Sequence, residues 1–234
     1  SFGQGAGANL LPSSGNNVAI GENALNAATT TYDVIGIGSN ALRSFRANNG
    51  APLAIGEDAL RDYTSGFRTS AIGTWAGRSL SSGNDNTLLG ALSGRFLTDG
   101  EANVIVGSQA GQGPVGGYSG YRNTIIGFAA GRNIEDGNNI LLGYQAADSL
   151  TTGTNNIIIG YDVEAPSNIG DNQLNIGNLI FGTGIDGTGT TTSSGNIGIG
   201  TTSINRRLTV AGDIQLATSG PSTITTSGDE LILE

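Results

Sequence analysis

Five arginines recur in this chain at a spacing that would bring their charges together. Each follows a repeated Gly by five residues: Arg43, Arg61, Arg78, Arg95 and Arg132. If successive copies stack at the strand spacing of about 4.8 Å, like charges repel unless each guanidinium meets an anion. The column therefore indicates either an anionic ligand, such as a phosphorylated or sulfated glycan, or ion pairs with acids of a neighbouring chain. We favour the ion pairs, with Glu57, Asp58 and Asp62 as candidate partners.

Aromatic side chains follow the same repeated Gly directly in three successive copies, at Phe128, Tyr144 and Tyr161. Aromatic faces suit sugar rings, but a stacked ladder of rings also stabilises a repeat array without any ligand. Of these two interpretations we favour the structural ladder.

One repeat is lengthened to 20 residues by an insertion at Gly111–Arg122. Loops on a rigid scaffold often carry recognition, and Tyr with Arg is a common interface composition. We therefore take Tyr118, Tyr121 and Arg122 as candidate ligand-binding residues. Trp75 joins them, because this sole Trp lies at a turn, two residues after a repeated Gly.

The sequence offers few residues for a catalytic or metal site. The chain has no Cys and no His, which excludes Cys–His nucleophiles and ordinary zinc sites. Its acids lie scattered at turns, without the recurring carboxylate pair that glycoside hydrolysis uses; they include Asp99, Glu101, Glu135, Asp136, Asp162 and Glu164. We therefore predict that the protein is not an enzyme and has no catalytic residue, cofactor or metal.

The net charge and the hydropathy of the sequence limit the classes of partner that we expect. The net charge is −9, and all basic residues are Arg, a balance that argues against nucleic acid as a partner. No stretch approaches the roughly 20 apolar residues of a membrane span, so we predict no membrane insertion. The absence of Met, even at position 1, indicates a fragment or a processed product.

These residues belong to a repeat of about 17 residues, best seen in NTIIGFAAG at Asn123–Gly131. The repeated Gly, here called the marker Gly, stands at positions 21, 38, 56, 73, 90, 107, 127, 143, 160, 177 and 200. An aliphatic residue precedes it in every copy, an Ala usually lies three residues after it, and an Asn often lies four residues before it. A near-constant period of this length is typical of a solenoid, with each repeat forming one coil.

The residues before the marker Gly predict a strand of four to five residues that is apolar on both faces. The position two before the Gly is small in the first four copies and mostly large afterwards. Strands that are apolar on both faces are buried on both faces, so a thin roll of this kind needs other chains against it. We expect the aliphatic columns to form a core along the axis that the chains share, so that Ile126→Asn would place an uncompensated amide there. The Asn amides are expected to bond from coil to coil.

The predicted fold class is all-β: a homotrimeric parallel β-roll, or β-solenoid, with a C-terminal intertwined β-stem. The segments GENALNAA and GEDALRDY carry helix formers, but recurring Gly and β-branched residues disfavour that alternative. We divide the chain into a lead-in or cap at 1–15, a repeat β-roll head or shaft at 16–167, and a neck and β-stem at 168–234. Alternating residues in the last segment indicate short strands, with turns at 211–213, 219–222 and 227–229.

The repeats NTIIGFAAG, NNILLGYQAA and NNIIIGYD resemble the head repeats of YadA-like trimeric autotransporter adhesins. They resemble still more closely the repeats of phage tail fibres and fibre-like surface adhesins. The segment from Asn172 to Asp213 is similar to the junction before the distal tip and endosialidase-type chaperone of such fibres, although Ile204 stands where that pattern usually has Pro. Together the two resemblances cover roughly residues 16 to 213.

The resemblance implies a homotrimeric, extracellular or virion-borne fibre that projects from a surface and attaches to a cell-surface glycan or protein receptor. The chaperone domain is not part of this sequence, so no self-cleaving serine is carried over. Two alternatives remain: a glycan-binding, lectin-like head module and, less favoured, a polysaccharide depolymerase.

Overall fold

The computed structural model describes residues 2–47 and 50–214. Within them the protein is all-β, without helix, and a single 13-stranded sheet winds into a solenoid of about nine turns. Every strand contains three or four residues. The strands are β1 Val18–Ile20, β2 Ile35–Ile37, β3 Leu53–Ile55, β4 Ser70–Ile72, β5 Thr87–Leu89, β6 Val104–Val106, β7 Thr124–Ile126, β8 Ile140–Leu142, β9 Ile157–Ile159, β10 Leu174–Ile176, β11 Ile180–Thr183, β12 Asn196–Ile199 and β13 Leu208–Val210.

Each coil is a flattened loop with two layers, a sheet layer made by the strand and a turn layer made by the residues after the marker Gly. Strands β1 to β10 pair in parallel and in register, so that Val18 lies beside Ile35 and Ile157 beside Leu174. The turn layer is also bonded from coil to coil, for example from the Leu25 amide to the Ala41 carbonyl at 3.0 Å. Neighbouring coils are therefore tied together along most of their length. The GENALNAA and GEDALRDY segments form these turns and not helices.

Corners between the two layers require glycine. The marker Gly residues of the first nine copies have φ between +117° and +145°, a region that residues with a side chain rarely adopt. They also stack closely: a Cβ on Gly90 would lie 2.5 Å from the Gly107 carbonyl oxygen. A second Gly column, about seven residues earlier, is equally tight, since a Cβ on Gly83 would lie 2.2 Å from the Gly100 oxygen. Conformation and contact together therefore fix Gly in the marker column, and close contact fixes it in the second column.

The core of the single chain lies inside each coil. The middle residue of each strand points inward, and it is buried throughout β1 to β9. The expected Ala column three residues after the marker Gly is buried against it. The aliphatic residue directly before the marker Gly faces outward, and Ile126 is 43% exposed. The column that we placed along the shared axis of three chains is therefore an outer face of the single chain, because successive residues of a strand point to opposite faces of the sheet.

Two arrangements fill this core. In the first coils the middle strand residue is small, as at Ala19 and Gly36, and a buried Leu reaches in from the turn layer at Leu25, Leu42 and Leu60. In later coils the strand residue is large, and the turn position is Gly77, Gly94, Gly111 or Gly131. The turn residue has φ between +48° and +57° in both arrangements, so only the side chains exchange their volumes. The first arrangement changes to the second between the coil of Leu60 and the coil of Leu88.

A ladder of buried asparagines completes the interior of the later coils. The Asn103 Oδ1 accepts a hydrogen bond from the Asn123 amide at 3.0 Å, and its Nδ2 donates to the Gly120 carbonyl at 2.9 Å. The same pair of bonds recurs along the column, which contains Asn86, Asn103, Asn123, Asn139 and Asn156. The predicted bonding between coils is confirmed, and it runs mainly from side chain to backbone.

Both ends of the solenoid show how far the repeat extends. Residues 2–10 form the turn layer of one further coil, in which Gly3 occupies the marker position and Phe2 bridges Ile20 in parallel. Parallel stacking continues to β10, and strand direction reverses at β11, C-terminal to the boundary that we predicted near residue 168. β13 pairs in parallel with β12. The predicted turns at 219–222 and 227–229, together with the rest of the predicted stem from residue 215 onward, lie outside the described residues.

Candidate functional site

The insertion borders a shallow groove on the loops that precede β5, β6 and β7. Tyr121 and Arg122 form one side, with the Arg122 guanidinium 5.6 Å from the centre of the Tyr121 ring. The groove has a volume of about 670 Å³, and its other lining residues are Asn84, Asp85, Asp99, Glu101, Ala102 and Ser119. It therefore combines one aromatic ring and one cation with three carboxylates. Such a lining suits a polar ligand rich in hydroxyl groups.

The acids of this groove are held by hydrogen bonds within the chain. Asp85 accepts two bonds from the Arg68 guanidinium, at 2.6 and 2.8 Å, and these lower the pKa of Asp85. Ser81 and Ser82 donate to one oxygen of Asp99 at 2.8 and 2.9 Å. The carboxylates are thus positioned before any ligand arrives.

Tyr118 does not belong to the candidate site. We expected it to project with the insertion, but its ring is only 6% exposed and its hydroxyl donates to the Gly111 carbonyl. Burial raises the pKa of the Tyr118 hydroxyl. The backbone explains this placement, because Tyr118 pairs in parallel with Leu97 and takes the core position of its own coil. The tip of the insertion is instead Val115, which is 88% exposed.

Two members of the arginine column, Arg61 and Arg78, form ion pairs with acids of the same chain. Arg61 binds Asp62 through Nε and Nη2 at 2.8 and 2.7 Å, and it also reaches Asp58 at 3.4 Å. Arg78 binds the same Asp58 through Nε at 3.1 Å. Ion pairing was the interpretation that we favoured, but these partners belong to the same chain and not to a neighbouring one.

Trp75 lies among these arginines and does not line the groove at Tyr121. The Arg95 guanidinium stacks 4.3 Å from the centre of the Trp75 ring, and that of Arg78 lies 5.5 Å away. Such cation–π contacts contribute about 0.5–2 kcal/mol each. The sequence-predicted residues therefore separate into two places, Trp75 with its arginines and Tyr121 with Arg122.

Phe128, Tyr144 and Tyr161 form the stacked ladder that we favoured. Ring centres are 5.4 and 5.0 Å apart, and the planes are within 15° of parallel. All three rings keep exposed surface, and Tyr161 at the C-terminal end is 75% exposed.

An apolar stripe runs along the outer face of the sheet layer. It consists of the first and last residues of strands β1 to β10, and the last residue is aliphatic in all ten. The more exposed members are 37–44% exposed: Val18, Ile20, Ile72, Leu89, Val104, Ile126, Ile140 and Ile176. Within the part of the chain that the structure describes, no other element packs over most of this face. No helix of the described residues is long and apolar enough to cross a membrane.

One acid has an unusual environment for a surface carboxylate. Burial, followed by the neighbouring carboxyl of Asp148, raises the pKa of Glu164, while Ser149 donates to it at 2.6 Å. Among the residues described, no three acids converge in a way that could hold a metal ion.

Comparison with models of protein families, with curated proteins and with solved structures finds no match for this chain. The surfaces described above are therefore the basis for assigning a function.

Sequence reasoning missed Arg95 as the partner of Trp75 and the acids that line the groove. Both could have been found by aligning equivalent positions of successive coils. The column that contains Asp58 places Trp75 one coil later, beside Arg95. Asp85, Ala102 and Arg122 likewise share one column, five residues before the marker Gly.

Proposed function

We propose that the chain forms a homotrimeric, extracellular fibre that projects from a surface and mediates attachment to a target cell or receptor. The observation that carries this proposal is the apolar stripe. It follows the solenoid for about nine coils, or roughly 43 Å at about 4.8 Å per coil. A stripe of this length and regularity fits the same stripe on other copies arranged around a common axis.

Covering the stripe would favour association. Full burial of an aliphatic side chain is worth about 1.5–3 kcal/mol, so covering one that is about 40% exposed contributes roughly 0.6–1.2 kcal/mol. Such increments recur at every coil, whereas the loss of rotational and translational freedom is incurred once for each chain that associates. Polar exceptions such as Ser70 and Thr87 occur only in the column of first strand residues.

The C-terminal segment supports a continuation of the fibre. After β10 the sheet changes to the antiparallel hairpin of β11 and β12, and β13 then pairs in parallel. We propose that the three chains intertwine beyond this point as a narrower β-stem.

Sedimentation analysis tests the assembly. The wild-type chain is expected to sediment as a trimer, and Ile126→Asn combined with Leu89→Asn is expected to shift it toward monomer. Both residues are over 40% exposed in the single chain, so each coil should still fold, as circular dichroism would show. Val115→Asn, on the exposed insertion, is the control and should leave the trimer intact. A wild-type chain that stays monomeric at all concentrations would refute the proposal.

The groove at Tyr121 and Arg122 favours a second candidate function, a glycan-binding head module. A glycan array probed with the whole chain is expected to show binding that Tyr121→Ala abolishes. Tyr32→Ala removes a similarly exposed ring outside the groove and should leave binding unchanged. An array without reproducible binding would leave the chain as a shaft that displays other parts of the fibre.

A further inference from the structure

One arginine of the column, Arg95, meets an aromatic ring at the place where the equivalent arginine of the preceding coil meets a carboxylate. Arg78 lies five residues after its marker Gly, and its Nε bonds to Asp58, which lies two residues after the marker Gly of the preceding coil. One coil further on, Arg95 takes the place of Arg78, and Trp75 takes the place of Asp58. Arg95 therefore meets an aromatic ring where its counterpart meets an acid.

Two buried donors at this place lack an acceptor among the described residues. They are the Nε–H of Arg95 and the Nε1–H of Trp75. Buried donors without an acceptor are rare in folded proteins and costly, and each needs an explanation. The two aspartates of this place are already engaged, since Asp58 binds Arg61 and Arg78 while Asp62 binds Arg61.

The ion pairs of the cluster leave one guanidinium out. Arg61 and Arg78 bind the carboxylates of Asp58 and Asp62, whereas Arg95 meets the rings of Trp75 and Phe96. Burial, and to a smaller extent the charge of Arg78, lowers the pKa of Arg95. An added anion would pair with Arg95.

This cluster lies on the side of the coil away from the apolar stripe. The turn layer packs against the inner face of the sheet, since a Cβ on Gly77 would lie 2.6 Å from the inward-pointing side chain of Leu88. Trp75 and Arg95 belong to that turn layer, and both are half-buried. If the stripes of three chains meet at an axis, as proposed above, the turn layer lies on the side away from that axis.

We propose that Trp75, Arg78 and Arg95 form a binding site for a single oxyanion, the carboxylate or sulfate group of an acidic saccharide. The Nε–H and one Nη–H of an arginine form the fork that binds two oxygens of such a group, as Arg61 binds Asp62. The Trp75 Nε1–H supplies a further donor. The site does not depend on the groove at Tyr121, and it provides three copies per trimer for a multivalent acidic polymer.

Intrinsic fluorescence reads out this site directly, because Trp75 is the only Trp of the chain. We expect saturable changes when sodium sulfate or glucuronate is added at constant ionic strength, and none with glucose. Heparin and polygalacturonate distinguish a sulfated from a carboxylated source, and the preferred polymer should bind at least tenfold more tightly than its monomer. Unchanged fluorescence with all four anionic probes would overturn the proposal.

Variants separate specific binding from general attraction to arginine. Arg95→Gln is expected to weaken binding at least tenfold, whereas Arg43→Gln, an exposed member of the same column, should change it less than twofold. Trp75→Asp restores the arrangement seen at Asp58, so calorimetry should show binding lost while the fold is kept. Equal effects of the Arg95 and Arg43 variants would refute a built site. Sedimentation of the same samples reports the trimer separately, so failure of one proposal is distinguishable from failure of the other.

Discussion

The two ways of filling the core predict that one substitution restores the stability that another removes. Leu60 fills the space between Ala54 and Ala71, whereas Gly77, one coil later, leaves the corresponding space to Leu88. The double variant Gly77→Leu with Leu88→Ala should therefore extend the first arrangement by one coil. Either substitution alone should fit poorly.

The expected magnitudes follow from the contacts. Leu88 is fully buried, so Leu88→Ala should cost about 2–5 kcal/mol for the lost contacts and the cavity. In Gly77→Leu the new Cβ would lie 2.6 Å from the Leu88 Cδ1, and overpacking should cost about 1–3 kcal/mol. The left-handed backbone at Gly77 adds about 1–2 kcal/mol for any residue with a side chain.

If the two substitutions acted independently, the double variant would therefore lose at least about 4 kcal/mol of unfolding free energy. In the double variant the cavity and the overlap with Leu88 cancel. The backbone cost of about 1–2 kcal/mol should remain, together with a shift of the Leu60 Cδ2, which would lie 2.9 Å from the new Cβ in the single variant as well. The expected coupling is at least about 2 kcal/mol in favour of the pair. The backbone itself presents no obstacle, because Leu25, Leu42 and Leu60 already adopt the same φ.

Urea unfolding followed by far-ultraviolet circular dichroism measures these differences. Chain concentration must be held fixed, because association stabilises the folded state. Gly77→Leu combined with Leu141→Ala is the matched control; these two residues belong to distant coils, so their costs should add. If the Gly77–Leu88 pair is as unstable as the sum of its single variants, the two-arrangement core described above is refuted.

Three further predictions test other parts of the coil. Gly90→Ala should destabilise the chain strongly, since its Cβ would overlap the Gly107 carbonyl at a φ of +132°; a melting temperature within a few degrees of wild type would contradict the tight corner. Asn103→Ala leaves the Asn123 amide and a glycine carbonyl unpaired, at about 1–3 kcal/mol each, and hydrogen exchange at that amide should accelerate. Glu164 has a raised pKa in the folded state, so its contribution to stability is lost as pH rises through that pKa. Glu164→Gln should therefore melt higher than wild type at neutral pH, and this advantage should vanish below about pH 4.

The positions of the strands could be predicted from the sequence, because the marker Gly fixes the corner that follows each strand. All ten parallel strands end directly before the marker Gly, as the aliphatic pattern indicated. Their inward face could not be inferred in the same way. Small residues such as Ala19 and Gly36 suggested little core, since nothing in the local sequence shows that Leu25 reaches in from a left-handed turn position.

The candidate site was only partly predictable for a related reason. Tyr121 lies where the insertion suggested, but Tyr118 returns to the core because the extra residues are absorbed before it. The role of Arg95 depends on what stands one coil earlier, a relation between residues 20 positions apart. Such relations become visible only when the register of the coils is known.

The two ways of filling the core also constrain how the gene for such a rod can change in length. Unequal recombination that adds or removes one whole repeat among the coils with large strand residues would leave every remaining side chain with its usual neighbours. The same exchange across the boundary between Leu60 and Leu88 would oppose two bulky residues or leave a void. Growth and shrinkage of the rod should therefore occur within each block of repeats, and the boundary between the two blocks should persist.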